Sequence, residues 1–163
     1  MNLEALLRSR IPVTIAPRGL SMYPFIRPSD RVTIIPGNGD ISVGEVVLLR
    51  NERGRWMIHR VIGRRRDSGR WITRGDSLLC PDQPVAPDRV WGRIIGVERR
   101  GRRKTYRLSS PFRRYLGRLI AASSRLESRL VCCRAARRLA SAGFFPKKAV
   151  KLPRWILTRI FFR

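Results

Sequence analysis

Ser21, His59, Asp76 and Asp82 are the residues of this chain whose types and surroundings suit nucleophilic catalysis. A serine hydroxyl is a poor nucleophile at neutral pH and needs a neighbouring base to take its proton. Imidazole, which titrates near neutrality, suits that task, and His59 is the single histidine of the chain. No lysine occurs between Met1 and Arg103 to serve instead. A lone histidine in a strand is ordinarily structural, so its context decides. Ser21 lies in Gly19-Leu20-Ser21-Met22-Tyr23-Pro24, a bend where a loop presents the hydroxyl while Met22 and Pro24 restrict the chain and supply apolar packing. His59 follows in Ile58-His59-Arg60-Val61-Ile62-Gly63. Asp76 closes Ile72-Thr73-Arg74-Gly75-Asp76, and Asp82 stands six positions further on.

These residues must be positioned by short strands. Val13–Ile15, Arg31–Ile35, Glu45–Arg50, Trp56–Gly63, Arg70–Thr73 and Val90–Glu98 are rich in β-branched and aromatic residues. Gly, Pro, Asn and Asp turns separate them, most densely at Pro36-Gly37-Asn38-Gly39-Asp40, and this texture predicts a mainly β core. Asn2–Arg10 predicts two helical turns, with Leu3, Leu6 and Leu7 on one side and Pro12 ending them. After Gly101 the texture changes. Pro111–Ala142 places Phe112, Leu116, Leu119, Ile120, Leu126, Leu130 and Leu139 at helical steps, opposite an arginine-rich face. Gly143 and Pro146 interrupt it, and Leu152–Phe162 predicts a last short helix. The expected organisation is a short N-terminal helix over 1–10, a β catalytic core over 11–100 and a basic α-helical tail over 101–163.

Four blocks in register carry a family resemblance: SMYP at 21–24, PSDRVTI at 28–34, VGEVV at 43–47 with HRVIG at 59–63, and ITRGD at 72–76 followed by Asp82. The stretch from Ile15 to Val97 resembles the type I signal peptidases, within the larger group that includes the self-cleaving LexA-like repressors. The resemblance implies a signal-peptidase/LexA-like β-fold and a serine endopeptidase that removes a leader or signal segment from a protein substrate. Typical bacterial members use a Ser/Lys dyad, whereas the archaeal and endoplasmic-reticulum type has His in the HRV block, as here. By that likeness Ser21 is the nucleophile and His59 the general base, with Asp82 orienting the imidazole. Asp76 is either a secondary acid or a structural cap. Small residues before the cut, in an extended substrate paired with a strand edge, are also implied. Family members often carry serine two residues before the nucleophile, where its hydroxyl helps bind the oxyanion. Gly19 stands there, so backbone N–H groups are left to form that hole.

The charge is uneven. The chain of 163 residues carries a formal +25, with 16 basic and 9 acidic residues from Met1 to Val97 but 20 and 2 from Glu98 to Arg163. Such a tail attracts polyanions. An anionic bilayer surface is one expected partner, met by an amphipathic helix with Trp155, Phe161 and Phe162 near its end; the other reading packs the apolar stripe on the β core. Nucleic acid is the alternative partner, of a nucleic-acid-binding or regulatory protein on a LexA-like fold, and a catalytically silent relative is a third reading. No helix-turn-helix precedes the serine block, however, and no aromatics interleave in a basic strand surface. Cys80, Cys132 and Cys133 have no zinc spacing and suit a reducing compartment. No metal or organic cofactor is expected, since serine and histidine supply nucleophile and base. Met1–Arg10 lacks the apolar run of a secretory leader, and no stretch reaches the roughly 18–20 apolar residues that span a bilayer. The expectation is therefore a cytoplasmic or peripherally membrane-associated protein.

Overall fold

Strand Val46–Arg50 is apolar at four successive positions, and a run of that kind belongs in a sheet covered on both faces. In the computed structural model, which describes residues 3–37, 39–99, 105–107 and 111–132, this strand sits inside one antiparallel sheet. In chain order the elements are α1 (Leu3–Arg8), β1 (Val13–Ile15), β2 (Arg31–Pro36), β3 (Val46–Arg50), β4 (Trp56–Arg64), β5 (Trp71–Arg74), β6 (Val90–Glu98), β7 (Thr105–Arg107) and α2 (Pro111–Cys132). The strands lie side by side in the order β1-β2-β6-β3-β4-β5, with β7 also paired to β6. The mainly β expectation is met, and each of the six expected strands forms within a residue or so of its predicted bounds. Strand β7 was not expected. It pairs Thr105–Arg107 with Gly96–Glu98, so the sheet runs on past residue 100.

The strict alternation of strand side chains divides β3 between two cores. Val46 and Leu48 join Met22, Phe25, Val32, Ile34, Ile94, Leu116 and Ile120 on one face, while Val47 and Leu49 join Val61, Trp71, Val85 and Val90 on the other. Fully burying each of these side chains contributes about 1.5–3 kcal/mol. The first cluster also fixes the serine loop, because Met22, Phe25 and Ile26 are all inside it.

Helix α2 packs on the sheet, but not with the stripe predicted. Leu116 and Ile120 enter the core, whereas Leu119 and Leu126 are exposed and Ser124, Glu127 and Ser128 are buried. The reason is Arg74 on β5, which is 1% exposed. A buried guanidinium needs partners, and it donates to Glu127 Oε2 at 2.8 Å and Ser128 Oγ at 3.0 Å. The helix is therefore rotated to present its polar residues inward. Within the described residues no helix is long and apolar enough to cross a membrane. The expected continuation to Ala142, the helix over Leu152–Phe162 with Trp155, Phe161 and Phe162, and Cys133 lie outside the described residues.

Candidate active site

His59 and Arg60 are neighbours on β4, so their side chains leave opposite faces of the sheet. His59 sits opposite Val47 on β3, and Val61, two residues on, sits opposite Thr73 on β5. Thr73 thus lies on the His59 face. After β5 the chain loops out and returns alongside it. Asp82 N–H donates to Thr73 O at 2.8 Å, and Trp71 and Val85 exchange a pair of backbone bonds. This return delivers the Asp82 carboxylate between two donors: Oδ2 lies 2.6 Å from His59 Nδ1 and accepts from Thr73 Oγ1 at 2.7 Å. His59 is 4% exposed. With Nδ1 on the carboxylate, Nε2 is the nitrogen left for a proton in transit.

Asp76 goes to the other face. Its two carboxylate oxygens accept from Arg60 Nε at 2.9 Å and Arg60 Nη2 at 2.7 Å, a bidentate pair with both side chains almost fully buried. Arg60 Nη1 donates to Gly44 O at 2.8 Å, and the guanidinium lies 5.4 Å from the Phe25 ring centre. Of the two alternatives for Asp76, this geometry is the structural one: it ties the β5 loop to the middle of β4 and to Phe25 of the serine loop. Asp76→Ala would leave Arg60 buried without its counter-ion. The expected loss of stability is about 3–5 kcal/mol by denaturant unfolding. A loss below about 1 kcal/mol would mean that the pair does not hold the loop.

The serine loop is pinned from both ends. Tyr23 N–H donates to Leu20 O, and Phe25 and Ile26 N–H both donate to Met22 O, each at 3.0 Å. The Ser21 carbonyl accepts from Ser77 N–H at 2.8 Å and from Ser77 Oγ at 3.0 Å, and the same hydroxyl reaches Leu20 O at 2.8 Å. Between Asp76 and Arg74 stands Gly75, where a Cβ would lie 2.7 Å from Ser21 O. Only glycine permits that approach. Gly75→Ala is therefore expected to push Ser21 out of place and to cost about 1–3 kcal/mol of stability by denaturant unfolding, as overpacking does. Unchanged stability in that variant would show that this close approach does not set the position of Ser21. Gly19 has a different reason. Nothing lies within 4 Å of a Cβ there, but φ is +96°, a conformation L side chains rarely adopt. The backbone, not crowding, favours glycine at this position.

Ser21 and His59 line one cavity of about 470 Å³, together with Ile15, Met22, Leu48, Trp56 and Ile58. Among the described residues no hydrogen bond joins Ser21 to His59, and the Ser21 N–H has no acceptor. On β4 the strand β3 covers one side of Trp56–Arg60, but β5 pairs only from Arg60 to Arg64, so Trp56–His59 keep one free strand edge beside this cavity.

Ser21 and His59 thus line one cavity and Asp82 meets His59 at Nδ1, while Asp76 stands on the opposite face of β4 against Arg60. Thr73, Ser77 and Arg60 were not assigned roles from sequence. Arg60 directly follows His59 and Ser77 directly follows Asp76, and adjacency to a candidate is the signal that marks them. Thr73 sits inside a quoted block but is not adjacent to a candidate. Among the described residues no cluster of three or more His, Cys, Asp or Glu could hold a metal ion. Comparison with protein-family models, with curated proteins and with solved structures finds no match.

Proposed function

We propose that the protein is a serine endopeptidase of the signal peptidase kind, on a LexA-like β-fold, with a Ser21–His59–Asp82 triad. The observation that carries this reading is the 2.6 Å contact of His59 Nδ1 with Asp82, behind a cavity that Ser21 and His59 line together. Ser21 Oγ attacks the scissile carbonyl while His59 Nε2 takes its proton. Asp82 holds the ring and offsets the charge of the imidazolium that forms. The free N–H of Ser21 points to a backbone contribution to the oxyanion hole. The imidazolium then protonates the leaving amine, and water, activated by the same nitrogen, hydrolyses the acyl-enzyme. Catalytic pairs of this type often tighten only when substrate is bound. A substrate in extended form would add to the free edge of β4 at Trp56–His59, with backbone bonds supplying affinity and the cavity supplying selectivity.

The test is digestion of a proteome-derived peptide library, with new termini identified by mass spectrometry. New termini after small residues are expected with the unsubstituted protein and not with Ser21→Ala. A library left intact by the unsubstituted protein would sink the reading. The basic tail of the chain, 20 basic against 2 acidic residues from Glu98 onward, favours an anionic membrane surface as second partner. Co-sedimentation with anionic vesicles, set against filter binding to duplex DNA, separates this from the nucleic-acid alternative.

A further inference from the structure

A second cavity, of about 480 Å³, lies against the far side of Asp82 and is not used by the chemistry above. Its walls are the tip of the β3–β4 hairpin, the returning segment Asp82–Ala86, and the side chains of Arg70 and Arg89. Four guanidinium groups line it, those of Arg50, Arg53, Arg70 and Arg89, against the carboxylates of Glu52 and Asp82. Asp82 is taken up by His59 and Thr73. Arg50 is committed to Glu4 Oε2 at 3.1 Å and Gly54 O at 3.0 Å, and Arg89 donates to Asn51 O at 3.1 Å. Arg53 and Arg70 are exposed, and their guanidinium groups have no hydrogen bond or ion pair among the described residues. The cavity therefore carries excess positive charge, with two cations free to engage a ligand.

This cavity shares a wall with the first one. Met57 lines both. It lies two residues from His59 on β4, about 7 Å along the strand, on the stretch that keeps its free edge. The same stretch leads toward the hairpin tip, where Arg53 stands. A peptide laid along this edge with its scissile bond at Ser21 and His59 would bring side chains two to four residues from the cut to the mouth of the arginine cavity.

We propose that this arginine cavity is a secondary specificity site that takes aspartate or glutamate side chains of the peptide substrate. The proposal rests on the peptidase reading of the neighbouring cavity. Guanidinium groups bind carboxylates in a fixed, two-pronged geometry, so the site selects acidic residues at a set distance from the cut. Rim-exposed pairs contribute modestly one at a time, and the preference comes from Arg53 and Arg70 acting together.

Binding is tested by fluorescence anisotropy with labelled hexaglutamate and hexaglutamine on the Ser21→Ala protein at physiological salt, where turnover plays no part. A protein of this charge attracts any polyanion, so two double variants of equal charge change are compared. Arg53→Glu with Arg70→Glu is expected to weaken hexaglutamate binding at least about tenfold. Arg118→Glu with Arg125→Glu, on the exposed side of α2, is expected to change it less than about twofold. Equal losses in both pairs, or hexaglutamate bound no tighter than hexaglutamine, overturn the proposal. In the library digest, acidic residues should be enriched two to four positions from the cut and lose that enrichment in Arg53→Glu with Arg70→Glu. Cleavage without any such enrichment overturns the specificity role while the peptidase reading survives. Absence of cleavage fails the peptidase reading, and the specificity role with it, while the anisotropy still decides whether the cavity binds acidic peptide.

Discussion

Ser21→Ala is expected to lower the rate of peptide cleavage by a factor on the order of 10⁴–10⁶ and to leave the fold intact. In the proposed mechanism the hydroxyl oxygen is the atom that bonds to the substrate carbonyl, and no other side chain can take its place. The same oxygen has no hydrogen bond among the described residues, so its removal costs the folded state little. What anchors the loop is the Ser21 carbonyl on Ser77 and the buried Met22, Phe25 and Ile26, all unaffected by the change. The unfolding free energy should therefore stay within about 0.5 kcal/mol of the unsubstituted protein. His59→Ala should cost a comparable factor in rate. The double variant should be no slower than the slower single one, because a nucleophile without its base and a base without its nucleophile are equally idle. Additive losses in the double variant, or more than a tenth of the activity remaining in Ser21→Ala, would show that these residues do not act as a unit.

Asp82→Asn should lower kcat by about 10²–10⁴-fold with little change in KM. The amide is nearly the same shape as the carboxylate, so packing between β5 and the returning segment survives, as does the backbone bond from Asp82 to Thr73. What is lost is the negative charge against which the imidazolium forms. One oxygen of Asp82 serves both His59 Nδ1 and Thr73 Oγ1. In the asparagine variant that position holds either an oxygen, which keeps the tautomer but not the charge, or an NH₂ group, which forces the wrong tautomer on His59. Both lower kcat and leave substrate contacts alone. A rise in KM at unchanged kcat would place Asp82 in substrate binding rather than in proton transfer. Contrast with Asp76→Ala is informative: the loss there is read in stability, since Asp76 faces Arg60.

The strands were legible because runs such as Arg31–Ile35 and Trp56–Gly63 combine β-branched residues with turn-forming residues on each side, and both signals are local. Strand β7 was not, because Thr105–Arg107 is three residues within a basic stretch and owes its state to pairing with β6. Helix α2 was legible as a helix but not in its rotation. A periodicity reading turns Leu119 and Leu126 inward, and it cannot know that a buried arginine on β5 demands Glu127 and Ser128. The bonds of Ser77 to Ser21 belong to the same class, since loop-to-loop contacts across 56 positions leave no local trace.

The sequence by itself determined the mainly β character, the strand bounds and the four candidate residues, because residue type and spacing act over a few positions. Tertiary structure alone decided how those candidates divide. Asp76 and Asp82 stand in one loop and carry the same group, and nothing local distinguishes them. They part because His59 and Arg60 are adjacent on a strand and face opposite ways. The returning chain brings Asp82 to the imidazole, and the turn at Gly75 brings Asp76 to the guanidinium.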